Sequence, residues 1–176
     1  MSQIIFYGVE GEARRAHLLE AAQAQAIDLR EVEKEEVGEL LGYFAGLEGY
    51  EKTGDKAEAP DEELVVFVDL HSHDLQEILL ALREMGEIFP HKAAMTETNK
   101  DWSFARLVKH IRRENAVIQA WSQMMAVAKE VIEAQESEPT QARDEALTFA
   151  KNLRLKGEDI EESDVREAIR RLKESL

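Results

Sequence analysis

The sequence has no cysteine, only three prolines among 176 residues, and no long apolar run. The lack of cysteine excludes disulfides, thiolate metal ligands and cysteine nucleophiles. A membrane-spanning helix needs about 20 consecutive apolar residues, and no segment approaches that length. Residues 1–5 do not combine a basic region with an apolar run, so we expect no secretory signal and a cytoplasmic protein.

Basic residues are also scarce, with 22 lysines and arginines against 37 aspartates and glutamates and a formal net charge of −15. Most of the excess lies in residues 1–100, because residues 101–176 hold 15 acidic and 13 basic residues. Nucleic acids and anionic membranes bind basic surfaces, so we expect neither as a partner. The basic cluster Arg106, Lys109, Arg112 and Arg113 is expected to contact the acidic first half of the chain or a second subunit.

What the sequence does contain is a strand-helix-strand-helix pattern that occurs twice, in residues 3–45 and 63–113. Apolar runs and helical spacing of apolar residues predict the elements. Strands are predicted at 4–9, 27–32, 65–68 and 91–96, and helices at 12–25, 36–44, 73–85 and from about 99 onward. Between the two repeats, residues 46–62 are rich in glycine and charge and predict a mobile linker.

The two strands that are apolar on both faces, the first and the third, belong in the middle of a sheet. Right-handed crossovers then place the second and fourth strands outside them, in the order 2-1-3-4. We therefore predict an α/β fold with a small, doubly wound, mostly parallel four-stranded sheet. A split β-α-β sandwich with antiparallel strands is the alternative.

The predicted domains are an α/β domain at 1–114 and a helical appendage at 115–176. An apolar stripe from Val117 to Ile132 indicates that the helix continues beyond the first domain, unless it breaks near Asn115. The appendage either covers the sheet or forms a homodimer.

A ligand cleft is expected where the carboxyl ends of strands 1 and 3 meet. The candidate residues of this cleft are Glu10, Glu12, Asp69, His71, His73, Lys92 and Thr96. The sequence His71-Ser72-His73 after a strand resembles the opening of metal-dependent hydrolases of the amidohydrolase and polymerase-histidinol-phosphatase types. That resemblance implies a divalent cation, but those enzymes need further histidines late in the chain. The alternative is that both histidines face solvent while Ser72 or Asp74 caps the helix.

The same loops also resemble those of response-regulator receiver domains. There Asp69 would be the phosphoacceptor, Glu10 and Glu12 the acidic magnesium ligands, and Thr96 the hydroxyl residue after strand 4. The sequence departs from that pattern because Gly11 separates the two acids and no fifth strand with a lysine is evident. The resemblance therefore implies at most a degenerate receiver-like domain.

Residues 63–114 resemble an uncharacterised bacterial family, the domain of unknown function 3783. The resemblance rests on the strand at 65–68, the helix at 75–85 and a signature of Lys92, Ala93, Ala94, Thr96, Asn99 and Trp102. It implies no activity. From the residues themselves, Thr98 or Asn99 would cap a helix and Trp102 would pack against the sheet.

No nucleophile and base pair is evident, and Gly8-x-x-Gly11 is too short for a dinucleotide-binding fingerprint. We therefore expect a non-enzymatic regulatory or protein-interaction module without a cofactor. Its partner is expected to be another protein, or a second copy that binds through the helices of 115–176. The alternative is a metal-binding or receiver-like site at the cleft between strands 1 and 3.

Overall fold

The computed structural model describes residues 2–176, apart from the side chain of Glu158. The chain forms two compact units, one that ends at Arg112 and one of residues 113–176. Each unit has its own hydrophobic core. Among the described residues, no helix combines the length and the apolar character that crossing a bilayer requires.

The first unit contains two successive β-α-β-α repeats. Its elements are β1 (Gln3–Tyr7), α1 (Glu12–Ala24), β2 (Asp28–Glu31), α2 (Leu41–Phe44), β3 (Leu64–Val68), α3 (Ser72–Glu84), β4 (Lys92–Ala94) and the start of α4 (Phe104–Ser137). A short 3-10 helix precedes the last helix of each repeat, at Lys34–Glu36 and at Asn99–Asp101. Both helices therefore begin later than their apolar patterns predict.

The four strands form one sheet in the order β2-β1-β3-β4, as predicted. The outer pairs, β1 with β2 and β3 with β4, are parallel. The central pair, β1 with β3, is antiparallel, with Ile5 opposite Val66 at its middle. The sheet is thus mixed but mostly parallel, and its two halves run in opposite directions.

Helices cover both faces of the sheet, because successive side chains of a strand point to opposite faces. On one face Ile4 and Phe67 pack with apolar residues of α1 and α3. On the other face Ile5 and Val66 pack with residues of α2 and of the first turns of α4. All five residues of β3 are buried, as expected for a strand in the middle of a two-faced core.

The connection from residue 46 to 62 has no regular secondary structure, but it is held at several points. The carboxylate of Glu39, only 1% exposed, accepts hydrogen bonds from the N–H groups of Thr53 and Gly54, each at 2.7 Å, and from the Thr53 hydroxyl at 3.0 Å. The Tyr7 hydroxyl donates to the Pro60 carbonyl at 2.7 Å. The connection is thus anchored at Glu39 and Tyr7, because a buried carboxylate needs its hydrogen-bond donors, whereas its mobility stays a prediction.

The second unit consists of three helices around a small core. They are the remainder of α4, which is continuous to Ser137, then α5 (Gln141–Asn152) and α6 (Glu162–Glu174). A 3-10 segment, Leu153–Asp159, joins α5 to α6. The Arg143 guanidinium donates to backbone carbonyls at the ends of α4 and α6, among them Glu138 and Ser175. A cation at two helix C-termini satisfies carbonyls that have no partner within the helices.

Candidate functional site

The candidate cleft residues lie at two opposite ends of the sheet. Because β1 and β3 are antiparallel, Tyr7 at the end of β1 is opposite Leu64 at the start of β3. Glu10 and Glu12 therefore lie at one end, and Asp69 lies at the other. A five-residue strand is about 16 Å long, so the predicted cleft between the ends of β1 and β3 does not exist. A receiver domain needs its acidic residues and its phosphoacceptor at the same edge of the sheet. Glu10 and Asp69 lie at opposite ends, so these loops do not have the receiver arrangement.

At the end where β3 finishes, Asp69, His71 and His73 are exposed, and Thr96 follows the parallel neighbour β4. The Asp69 backbone carbonyl accepts a hydrogen bond from the Ser2 hydroxyl at 2.8 Å. Across the described residues, no group of three or more His, Asp or Glu side chains could hold a metal ion. The histidines face solvent, as the structural interpretation of His71-Ser72-His73 expected, although no side chain in the described part of the chain caps α3.

At the opposite end, Lys92 begins β4 and pairs in register with Val65. Its ammonium donates a hydrogen bond to the Phe89 carbonyl, although Lys92 itself is exposed. Glu10 and Glu12 are exposed beside the start of α1. Lys92 thus meets a backbone carbonyl, which supports a structural role for this residue.

An ion-pair network that the sequence did not predict joins the two repeats at this end. The Arg14 guanidinium on α1 binds both carboxylate oxygens of Glu63, at 2.6 and 3.0 Å, and donates to Glu87 at 2.9 Å. His17 contacts the other oxygen of Glu87 at 2.9 Å. Hydrogen bonds from His17 and Arg14 hold the pKa of Glu87 below its usual value. The partners are 49 to 73 residues apart in sequence, so no local pattern could have indicated them.

The network's chemistry is that of a structural contact. Each charge has an opposite partner, and the Arg14 guanidinium also lies 4.7 Å from the centre of the Phe89 ring. A bidentate arginine and carboxylate pair fixes geometry as well as charge. The network therefore holds α1 of the first repeat on the start of β3.

The residues of the family-like signature that follow β4 form a turn at the end of that strand. The Thr96 N–H donates to the Asn99 side-chain oxygen at 2.7 Å, and the Asn99 N–H donates to the Thr96 hydroxyl at 3.2 Å. The Asn99 side-chain amide donates to the Ala94 carbonyl at 2.9 Å, which otherwise lies on the outer side of the sheet. Trp102 is half-buried and stacks with Arg106 at 4.4 Å. Asn99 thus caps the turn from Thr96 to Asp101 and supports the structural interpretation of the signature.

A cleft of about 550 Å³ opposite residues 57–62 is lined by Arg106, Lys109 and Arg112 of the basic cluster. Arg112 forms a salt bridge with Glu62 at 2.9 Å, and this hydrogen bond lowers the pKa of Glu62. Arg113, in the second unit, pairs instead with Glu161 at 3.0 Å. The expected contact of the cluster with the acidic first half is thus present at Arg112.

The second unit has an exposed apolar surface on α4, which we call the α4 stripe. It consists of the exposed Ile118, Met125 and Ile132, the half-buried Trp121 between them, and Ala128, which is buried at the base of a groove. Three of its side chains are well exposed: 61% of Ile118 and 46% each of Met125 and Ile132. Most of the stripe borders a groove of about 320 Å³ between α4 and α5, which Leu147 and Ala150 close from the other side. Lys151 and Arg154 form the basic rim of this groove.

Comparison with known protein families gives a match for one part of the chain. Residues 63–118 match the family described as Domain of unknown function (DUF3783). The resemblance seen in the sequence is confirmed for this segment. Comparisons with curated proteins and with solved structures found no match.

The DUF3783 segment corresponds to the second β-α-β-α repeat and the first part of α4. It includes the Asn99 turn and the fully buried β3, but it ends at residue 118, where the α4 stripe begins. The family match therefore accounts for the sheet residues of the signature, whereas the exposed apolar surface lies almost wholly outside it.

Proposed function

We propose that the protein is a non-enzymatic interaction module that associates with a second copy of itself through the α4 stripe. The observation that carries this proposal is the exposure of Ile118, Met125 and Ile132 on one face of a helix. Large contiguous apolar surfaces on soluble units mark interaction sites, whereas single exposed apolar residues do not. Methionine and tryptophan are enriched at such contacts.

The charge distribution supports the same surface. Residues 101–176 are nearly balanced, with 15 acidic and 13 basic residues, whereas residues 1–100 carry most of the net charge. Two copies would therefore repel each other least when they meet through the C-terminal helices. The separation of Glu10 from Asp69 across the sheet leaves the alternative of a shared catalytic or metal cleft without its geometric basis.

Sedimentation velocity over a range from about 1 µM to 1 mM tests the proposal. We expect a dimer that forms reversibly with concentration, and we expect Met125→Glu to remain monomeric over the whole range because a charge cannot be buried unpaired in an apolar contact. Leu155→Glu is the matched control, because Leu155 lies in the same unit and is 84% exposed outside the stripe.

A wild-type protein that stays monomeric at 1 mM would overturn the proposal. So would a Met125→Glu variant that still dimerises, or a Leu155→Glu variant that loses the dimer equally. Because Met125 is exposed, the variant should keep its fold, and its circular dichroism spectrum checks this. Ile118→Glu, at a still more exposed position, serves as the second variant.

A further inference from the structure

The residues of the α4 stripe follow a heptad repeat. Ile118, Met125 and Ile132 are seven residues apart, and Trp121 and Ala128 each lie three residues after one of them. This alternation of three and four residues is the pattern of a helix that packs along a second helix. The next positions of the same series on either side are polar, Glu114 and Gln135.

We infer, on the basis of the self-association proposed above, that the occupant of the α4 stripe is α4 of a second copy in antiparallel orientation. A twofold axis between residues 126 and 127 would relate the two helices. One series of the heptad repeat is 118, 125 and 132, and the other is 121, 128 and 135. In an antiparallel pair, each layer combines a residue of the first series from one copy with a residue of the second series from the other copy. The layers are Met125 with Ala128, Trp121 with Ile132, and Ile118 with Gln135, each pair formed between the copies.

The sizes of the side chains favour this orientation over a parallel one. In a parallel pair every residue meets its own equivalent, which places two Trp121 indoles in one layer and two Ala128 methyl groups in another. A seam packs well when large residues face smaller ones, because the volume of each layer is then similar. The antiparallel alignment places Met125 against Ala128 and avoids both the crowded layer and the empty one.

Charge also favours the antiparallel alignment. A parallel pair brings the two Glu114 carboxylates into one layer, whereas the antiparallel overlap leaves Glu114 outside. The antiparallel alignment carries Glu136 of the second copy one turn beyond Trp121. Because α5 runs back along α4, its C-terminal end lies toward Trp121, so Glu136 of the second copy approaches the basic rim of Lys151 and Arg154. Opposite charges at the rim of a contact favour one orientation over another.

The size of the contact indicates a reversible dimer. The overlap from residue 118 to 135 is about 25 Å long at 1.5 Å per residue and about 10 Å wide. That footprint is about 250 Å² in projection, smaller than the roughly 800 Å² of accessible surface per partner in a stable interface. The orientation must therefore be measured at concentrations where sedimentation shows the dimer.

Disulfide formation between single-cysteine variants tests the orientation, because the chain has no cysteine of its own. Ile118→Cys and Gln135→Cys are mixed, one of them with an affinity tag, and oxidised. A disulfide needs Cα atoms within about 7 Å. We expect a mixed disulfide dimer from the pair and none from either variant alone, since 17 residues of helix separate the two positions by about 25 Å.

A parallel dimer would give the opposite result: Ile118→Cys alone would cross-link and the mixture would gain nothing. Ile118→Cys mixed with Leu155→Cys is the control for random collisions, and a yield from the 118 and 135 pair that does not exceed it overturns the inference. Failure of the proposed function is distinguishable, because it appears as a wild-type monomer in sedimentation. A dimer that Met125→Glu abolishes, with no antiparallel cross-link, overturns the orientation alone.

Discussion

The two β-α-β-α repeats of the first unit solve the same geometric problem with different residues. The backbone is left-handed immediately after the first strand of each repeat, at Gly8 (φ 68°) and at Asp69 (φ 50°). It is left-handed again two residues after the first helix of each repeat, at Ala26 (φ 54°) and at Gly86 (φ 82°). Each repeat thus has glycine at one of the two positions and a residue with a side chain at the other.

The helix ends show that the equivalence is one of hydrogen bonding as well as of angle. The Ile27 N–H donates to the Ala22 carbonyl at 3.0 Å, and the Glu87 N–H donates to the Leu82 carbonyl at 2.8 Å. Both are the long bond of a Schellman motif, which needs a left-handed residue within it. The fold therefore imposes the left-handed conformation at these positions, and the residue type determines only the conformational free energy that this requires.

The repeats differ most in their second helix, which has four residues in the first repeat and 34 in the second. In the first repeat, the chain after this short helix continues as the connection 46–62, which the buried carboxylate of Glu39 anchors. The largest effect that we predict tests this dependence. Glu39→Ala should lower the free energy of unfolding by about 3 kcal/mol, because the buried carboxylate and the hydrogen bonds that it accepts from Thr53 and Gly54 are lost.

Hydrogen exchange followed by mass spectrometry measures where that loss occurs. The amides of β2 and α2 should exchange faster in Glu39→Ala, while those of α3 and β4 keep their protection. Equal loss of protection in both repeats would show that the connection does not stabilise the first repeat more than the second.

Glu39 also predicts a pH dependence. Burial raises its pKa, but the hydrogen bonds from Thr53 and Gly54 outweigh burial and leave the pKa below its usual value. A carboxyl whose pKa is lower in the folded state stabilises the fold above its unfolded pKa, and this contribution is lost as the pH falls through the folded pKa. The stability difference between wild type and Glu39→Gln should therefore shrink below about pH 4.5, and a difference that stays constant to pH 3 would contradict this assignment.

The sequence predicted the strand order because burial is visible in it: β1 and β3 are apolar at successive positions, which places them in the middle. It did not predict the direction of β3, because an apolar run shows how deeply a strand is buried and not which way it runs. The connection 46–62 can return to the sheet at either end, and its anchor depends on Glu39, a charged residue that composition places on the surface.

The direction of β3 explains why the predicted cleft is absent. Because β3 is antiparallel to β1, Asp69 lies about the length of a strand away from Glu10, although each residue follows its strand as expected. The Arg14 network lies at the same end of the sheet as Glu10. Its partners Glu63 and Glu87 are distant in sequence, so residue spacing could not identify them. The apolar stripe from Val117 to Ile132, in contrast, was predicted because helical periodicity is local information, although the periodicity did not show which of its residues are exposed.

The glycines of the two repeats give the next effects. Gly8→Ala should destabilise the first unit by about 2 kcal/mol, because it adds the cost of a left-handed alanine to a close approach. An added Cβ at Gly8 would lie 3.2 Å from the Glu63 Cα atom. Gly86→Ala should cost about 1 kcal/mol, because no other described residue comes within 4 Å of its added Cβ. Urea unfolding in a Trp121→Phe background, where Trp102 reports on the first unit, measures both, and a larger effect at Gly86 would contradict the crowding at Gly8.

The smallest effect has the opposite sign. Ala26→Gly should stabilise the first unit by about 0.5 to 1 kcal/mol, since glycine adopts the left-handed conformation without strain but is more flexible when unfolded. Asp69→Gly should stabilise less, because aspartate tolerates this conformation better than alanine does. Ala24→Gly is the matched control, because Ala24 is exposed and helical two residues earlier, and glycine there should destabilise. If Ala26→Gly destabilised as Ala24→Gly does, the Schellman ending of α1 and its equivalence to the ending of α3 would both be wrong.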